Sequence, residues 1–177
     1  MDVNKLMAFS APYYHNKDIM HNLRHIELVL KAAEHIIKMG KYDVEHDCIL
    51  AATYFHGFIG FYETDIRKWL FSQGFSQVQT DKTITAARES QAESQPQTLE
   101  GKIIHDAHLI EGGKAYMITK CLITGSVRGQ TLLQTIEYIE KNVLYTIRCY
   151  LPETVLLFEE SKKYARDFLY ELKKGLL

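Results

Sequence analysis

Apolar residues recur at helical spacing from Asp18 to Met39. A gap of three or four residues between them puts their side chains on one face of an α-helix. Asp18 is suited to cap the start of this helix, and Gly40 is suited to end it. The apolar positions are Ile19, Leu23, Ile26, Val29, Leu30, Ala33, Ile36 and Ile37.

The same pattern predicts helices along most of the remaining chain. Residues 90–98 are polar, contain Pro96 and predict a loop, while Gly112 and Gly113 predict a bend inside a long helix. Hairpin turns, βαβ alternation and Gly-rich phosphate loops are not found in the sequence. We therefore predict an all-α fold of about six or seven helices. It forms one domain over 1–177, with a core at about 18–125 and C-terminal helices at about 131–174. The further predicted helices cover about 43–56, 63–72, 77–89, 99–123, 131–150 and 153–174.

The amino-acid composition argues against several classes of function. The chain has 177 residues and a formal net charge of −1, which argues against bulk attraction to nucleic acid or to an anionic membrane. Its three cysteines are widely spaced and build neither a disulfide scaffold nor a CxxC metal site. No secretory signal is recognisable, so we expect a soluble cytoplasmic protein. The two C-terminal helices are predicted to be amphipathic and could pair with a second copy of the chain, so a homodimer is one alternative.

Histidine is the residue whose placement carries chemical information. His21 and His25 lie four residues apart, on one helix face, and His56 ends an apolar segment. The segment 105–111 contains two histidines, an aspartate and a glutamate. Imidazoles and carboxylates are the ligands of a hydrolytic divalent ion, and helical bundles build such sites by pointing ligands inward from facing helices. A single helical histidine, however, is more often a surface or packing residue.

The order of these segments resembles the HD-domain metal-dependent phosphohydrolases, particularly their small all-helical members. The first resembling segment is His21-Asn22-Leu23-Arg24-His25, the second is Ala51-Ala52-Thr53-Tyr54-Phe55-His56-Gly57, and the third runs from Leu99 to Glu111. The resemblance covers about 18–120. It implies a helical metallohydrolase that acts on a nucleotide or another small phosphate ester.

The resemblance also implies a set of metal ligands, with two departures from the family pattern. Gly57 stands where the family has the aspartate of its His-Asp pair. His25 and His56 match family ligands, and the third ligand is either Asp106 or His108, since the ungapped alignment puts His108 on the expected ligand position. A nitrogen-rich set favours Zn²⁺, Fe²⁺, Mn²⁺, Ni²⁺ or Co²⁺ over Mg²⁺.

Residues for proton transfer and phosphate binding are the remaining candidates. A carboxylate among Glu89, Asp106 and Glu111 would accept the proton of an attacking water molecule, and Glu89 is also a possible ligand. Arg88 and Lys114 would offset the charge of the phosphate. The alternative is a degenerate family member that binds a metal or another ligand without turnover, or that serves as an interaction module.

Overall fold

Helices make up the regular structure of residues 1–176, the part of the chain that the computed structural model describes, and no β-strand occurs in those residues. The predicted all-α class is confirmed. A 3₁₀ turn, Ala11–Tyr13, follows the first helix, and a π-helical segment, Ile139–Val143, follows the eighth. The helices are α1 (Val3–Ser10), α2 (Leu23–Gly40), α3 (His46–Phe55), α4 (Ile59–Ser72), α5 (Gln77–Glu89), α6 (Leu99–Ile110), α7 (Lys114–Val127), α8 (Leu132–Tyr138) and α9 (Pro152–Leu176).

Capping side chains fix where the helices begin. α2 begins after Asn22, whose side chain accepts a hydrogen bond from the backbone N–H of Arg24. The predicted cap, Asp18, instead accepts bonds from the Met20 N–H and the His21 ring. α5 spans the predicted residues, since Ser76 and Gln79 form a reciprocal capping box at its start.

The structure has more helices than predicted, for local reasons. α1 was not predicted, although the Asp2 side chain caps it. The predicted helix 99–123 is divided into α6 and α7, because Gly112 and Gly113 adopt φ angles of 64° and 81°. The predicted helix 131–150 was too long, since helical structure ends at Val143.

Two apolar clusters form the core. The first lies among α2, α3, α5 and α6 and contains Ile26, Phe55 and Ile104. The second lies among α7, the π-helical segment and α9 and contains Ile118, Ile139, Phe158, Ala165 and Leu169. Ile110, at the end of α6, packs against both clusters. A cavity between them is lined by side chains from each half.

Asp106 joins α6 to the start of α9. Its fully buried carboxylate accepts hydrogen bonds from the backbone N–H of Tyr150 at 2.9 Å, from that of Leu151 at 2.8 Å and from the Thr154 hydroxyl at 2.6 Å. A carboxylate beside the free N–H groups of a helix start satisfies donors that the helix leaves unpaired. Asp106 therefore fixes the start of α9.

None of the helices in residues 1–176 has an apolar stretch long enough to cross a bilayer.

Candidate metal centre

Three histidines from three helices meet at the cavity. His25 lies in the first turn of α2, His56 directly follows α3, and His108 lies in the last turn of α6. One ligand atom from each residue lies within 4.8 Å of the other two, which is a group that can hold a metal ion. His25 and His56 are buried, whereas His108 is partly exposed.

Hydrogen bonds at the outer ring nitrogens orient two of these imidazoles. His25 Nδ1 lies 2.6 Å from a Glu111 carboxylate oxygen, and His56 Nδ1 lies 2.6 Å from the Thr53 carbonyl oxygen. Because both partners are acceptors, each Nδ1 carries the proton and each Nε2 carries a lone pair. Carboxylates and carbonyls hold metal-binding histidines in this tautomer.

The two Nε2 atoms face each other. His25 Nε2 and His56 Nε2 are 3.0 Å apart. Neither can donate to the other while both Nδ1 atoms hold their protons, so two lone pairs are directed at one buried point. A cation shared by the two nitrogens satisfies both lone pairs, and the donor set therefore fits a metal ion.

His108 supplies the third nitrogen. Its ring centroid lies 5.1 Å from that of His25 and 5.2 Å from that of His56. His108 Nε2 accepts a hydrogen bond from Lys120 Nζ at 3.0 Å. Of the two residues proposed for the third ligand, His108 is the one that the structure brings to the other imidazoles.

Asp106 lies elsewhere because of helix geometry. Residues two apart on an α-helix point to different sides, so Asp106 and His108 cannot both face the cavity. All four bonds to the Asp106 carboxylate from Tyr150, Leu151 and Thr154 come from the opposite side of α6. Its role in the structure is to hold α9.

Glu111 and Lys120 form an ion pair behind the histidines. Glu111 was predicted as a proton acceptor; the structure places it against His25, with its other oxygen bonded to Lys120 Nζ. The Gly112–Gly113 turn folds α7 back, so that Lys120 reaches His108. Lys120 was missed from the sequence, where the only signal is a charge inside the apolar stretch from Ile118 to Ile123.

The remaining predicted residues are engaged outside the cavity. The Glu89 carboxylate accepts bonds from the backbone N–H groups of Gln97 and Thr98 and holds the loop before α6. Arg88 is exposed and pairs with Glu63, and Lys114 is exposed and pairs with Glu160 at 2.8 Å. Within residues 1–176 these three side chains do not line the cavity.

Gly57 is enclosed by a tyrosine and a lysine. A Cβ atom at this position would lie 2.6 Å from the Tyr14 hydroxyl and 2.9 Å from Lys17 Nζ. Tyr14 donates to the Tyr54 carbonyl at 2.7 Å, and Lys17 donates to the Gly57 carbonyl at 2.6 Å. An aspartate at position 57 would therefore have to displace one of these groups, and the site contains no carboxylate ligand there.

The cavity has a volume of about 310 Å³ and is cationic at the histidine end. Lys17 and Lys120 supply the ammonium groups there, and His21 and Arg128 also line the cavity. His21 is held by Asp18, whose carboxylate lies 2.8 Å from His21 Nδ1. The apolar part of the wall comes from α7, the π-helical segment and α9, through Met117, Cys121, Val143, Ile147 and Phe158.

Burial keeps the three imidazoles neutral. It lowers the pKa of His56 to about 4 and holds the pKa values of His25 and His108 well below their ordinary value, and in all three the Lys120 ammonium adds to the effect. Burial raises the pKa of Glu111 to about 7, against the opposing effect of Lys120. Neutral imidazoles retain the lone pairs that a metal requires.

We expect metal-free protein to lose stability in mild acid. His25, His56 and His108 each take up a proton below about pH 6.5 only when the protein unfolds. Glu111 releases one on unfolding, so unfolding takes up about two protons net below that pH. The free energy of unfolding should therefore fall by about 2–3 kcal/mol per pH unit between about pH 6 and pH 5. Urea denaturation with a chelator present measures this slope.

Single substitutions identify which histidines cause this dependence of the unfolding free energy on pH. His56→Gln should reduce it by about 1.4 kcal/mol per pH unit, because one proton uptake is removed. His35→Gln is the matched control, since His35 is exposed on α2. Equal slopes for wild type and His56→Gln would show that His56 is not held neutral by the fold.

Comparison with known proteins identifies the fold. No protein-family model matches the chain, and no curated protein matches it with significance. The crystal structure of Bacillus subtilis YpgQ in complex with ADP is similar, with a TM-score of 0.77 at 16% identity over 98% of this chain and 97% of that chain. Another YpgQ crystal structure gives a TM-score of 0.75 at 16% identity over 99% and 97% of the two chains. The chain thus shares the all-helical fold of YpgQ along nearly its whole length.

Proposed function

We propose that this protein is a metal-dependent phosphohydrolase that acts on a nucleotide or another small phosphate ester. The observation that carries the proposal is the pair of Nε2 lone pairs from His25 and His56 facing each other at 3.0 Å, with His108 beside them. A buried arrangement of this kind costs free energy unless a cation occupies it. The resemblance to HD-domain enzymes supports the same chemistry.

The donor set selects the kind of ion. Three neutral imidazoles suit Zn²⁺, Fe²⁺, Mn²⁺, Ni²⁺ or Co²⁺ better than Mg²⁺, which prefers oxygen ligands. His25, His56 and His108 would hold the ion, and Glu111 would orient His25. Three protein ligands leave further coordination positions for water or substrate, as in catalytic rather than structural sites. When bound, such an ion supplies Lewis-acid chemistry to a phosphate group and to water.

The cavity wall provides groups for the substrate and for a proton. Lys17 and Lys120 place ammonium groups beside the histidines, where they would offset the charge of a phosphate. His21 lies in the same wall, with its ring centroid 5.8 Å from that of His25. We assign to His21, held by Asp18, the acceptance of a proton from the attacking water.

The cavity and the fold both support the proposed substrate class. The apolar wall beyond the histidines gives space for a group attached to the phosphate, and Arg128 and Gln130 supply polar contacts there. YpgQ, which has the same fold, binds ADP in its crystal structure. A nucleotide is therefore the first substrate to test.

A second candidate function is metal or ligand binding without turnover. The environment of Gly57 favours it, because the Tyr14 hydroxyl and Lys17 ammonium occupy the space that a carboxylate side chain would need. In this case the protein holds an ion and an anion at the same site but does not hydrolyse the ester.

Reconstitution separates the two candidates. Purified protein is stripped with chelator, dialysed against Mn²⁺, Co²⁺, Ni²⁺, Fe²⁺ or Zn²⁺, and analysed for metal content. It is then assayed against nucleoside mono-, di- and triphosphates, sugar phosphates and p-nitrophenyl phosphate. We expect one ion per chain and hydrolysis that stops when chelator is added. Binding without hydrolysis would support the second candidate, and failure to bind any of these ions would overturn the hydrolase and the metal-binding form of the second candidate.

A further inference from the structure

Lys120 occupies the direction from which a metal ion would reach His108. Its Nζ lies 3.0 Å from His108 Nε2. Because His108 Nδ1 faces the Ser90 carbonyl oxygen at 3.4 Å, Nε2 is the ring nitrogen whose lone pair is directed at the cavity. One lone pair cannot accept a hydrogen bond and bind a metal ion at the same time. The Lys120–His108 bond and metal binding by His108 therefore exclude each other.

Burial and a bond to Glu111 hold Lys120 in this position. Its side chain is only 15% exposed, and its ammonium is also bonded to the Glu111 carboxylate, which is 2% exposed. Glu111 in turn accepts from His25. His25, Glu111, Lys120 and His108 thus form a continuous chain of bonds around the cavity. By contrast Lys17, the other ammonium at this end, is bonded to a backbone carbonyl.

If a metal ion displaced Lys120 from His108, Glu111 would still hold the Lys120 ammonium. Its pairing with Glu111 does not involve His108, so the ammonium would stay at the cavity wall after that bond is lost. Three neutral imidazoles do not offset the two charges of a divalent ion. Within residues 1–176, the carboxylate that contacts both Lys120 and His25 is that of Glu111, and it offsets only one positive charge. A bound dianion would neutralise the excess.

We propose that Lys120 competes with the metal ion for His108 and, once displaced, binds an oxygen of a phosphate group held beside the ion. The inference rests on the proposed metal site. It adds that metal and phosphate bind cooperatively, because both binding steps involve Lys120. Linkage requires that phosphate raise the affinity for metal by the same factor as metal raises the affinity for phosphate.

Titration of chelator-stripped protein with Co²⁺, with and without inorganic phosphate, tests this coupling. The d–d absorbance of bound Co²⁺ reports both occupancy and the number of ligands. For wild type we expect phosphate to tighten Co²⁺ binding about tenfold. For Lys120→Met we expect Co²⁺ to bind about tenfold more tightly than to wild type without phosphate, because the competitor is gone, and phosphate to change that affinity less than about twofold.

Two lysine variants separate competition from general charge and folding effects. Lys114→Met removes an exposed lysine from the same helix and should match wild type in both titrations. Lys17→Met removes a cavity charge that makes no bond to a candidate ligand, and it should change Co²⁺ affinity without phosphate by less than about threefold. If Lys120→Met fails to fold by circular dichroism, Lys120→Gln removes the charge but keeps a donor, and it should lose the phosphate effect.

The outcomes distinguish this inference from the metal site itself. Tight Co²⁺ binding to wild type and Lys120→Met with equal affinity would overturn the competition. A phosphate effect that persists in Lys120→Met would overturn the role of Lys120 in anion binding. No Co²⁺ binding by either protein would instead overturn the three-histidine site on which the inference depends.

Discussion

Replacing His56 by glutamine is expected to lower the affinity for a divalent ion by at least about 100-fold, or about 2.7 kcal/mol. His56 is buried, and its Nε2 faces His25 Nε2 at 3.0 Å, so one of three ligands is lost from the centre of the site. Glutamine retains a polar group of similar size but not an imidazole lone pair. Equilibrium dialysis followed by elemental analysis measures the change, and hydrolysis of the best substrate should fall with it.

His46→Gln is the matched control for this experiment. His46 begins the same helix, α3, and is exposed, so its replacement should leave both metal content and activity unchanged. Unaltered metal content in His56→Gln would refute the three-histidine site. Parallel losses in both variants would point to a general effect on α3 rather than to ligation.

Replacing Asp106 by asparagine is expected to destabilise the protein by about 3 kcal/mol without weakening metal binding. The fully buried carboxylate accepts from two backbone N–H groups, those of Tyr150 and Leu151, and from the Thr154 hydroxyl. An asparagine presents an NH₂ group to some of these donors, which leaves buried groups unpaired. Urea denaturation with chelator present measures the loss.

The metal titration of Asp106→Asn decides between the two third ligands that the sequence left open. Its affinity for Co²⁺, measured where the variant is folded, should lie within about twofold of wild type. Asp167→Ala, which removes an exposed carboxylate paired with Lys163 on α9, should change the unfolding free energy by less than about 0.5 kcal/mol. A strong loss of metal affinity in Asp106→Asn would restore Asp106 as a ligand.

Helices with a regular apolar face were predictable because their signal is local. The spacing of apolar residues predicted α2 and α9. The segment 144–150 was predicted as helix and is not. Its end is shaped by Asp106, whose carboxylate takes the N–H groups of Tyr150 and Leu151, and a partner 44 residues away leaves no trace in local periodicity.

The candidate site was predictable in its ligand types but not in its supporting residues. His25 stood out because it pairs with His21 on one helix face, and the turn containing His108 because it gathers imidazoles and carboxylates. His56 stood out because it ends an apolar segment, where an imidazole needs a partner. Glu89 and Arg88 carry the same kinds of charge as Glu111 and Lys120, so residue type alone does not distinguish the two pairs. Only the direction of each side chain in the fold separates them, and that direction depends on contacts between distant helices.

The sequence by itself determined an all-helical chain, the histidines that could act together and the glycine at position 57. The tertiary structure decided that His108 rather than Asp106 faces the other two imidazoles, that Glu111 orients His25, and that Lys120 bonds to a candidate ligand. The physical reason is that residue type and helical spacing are properties of the chain within one or two turns. Convergence of lone pairs, burial and charge pairing arises only when α2, α3, α6 and α7 pack together.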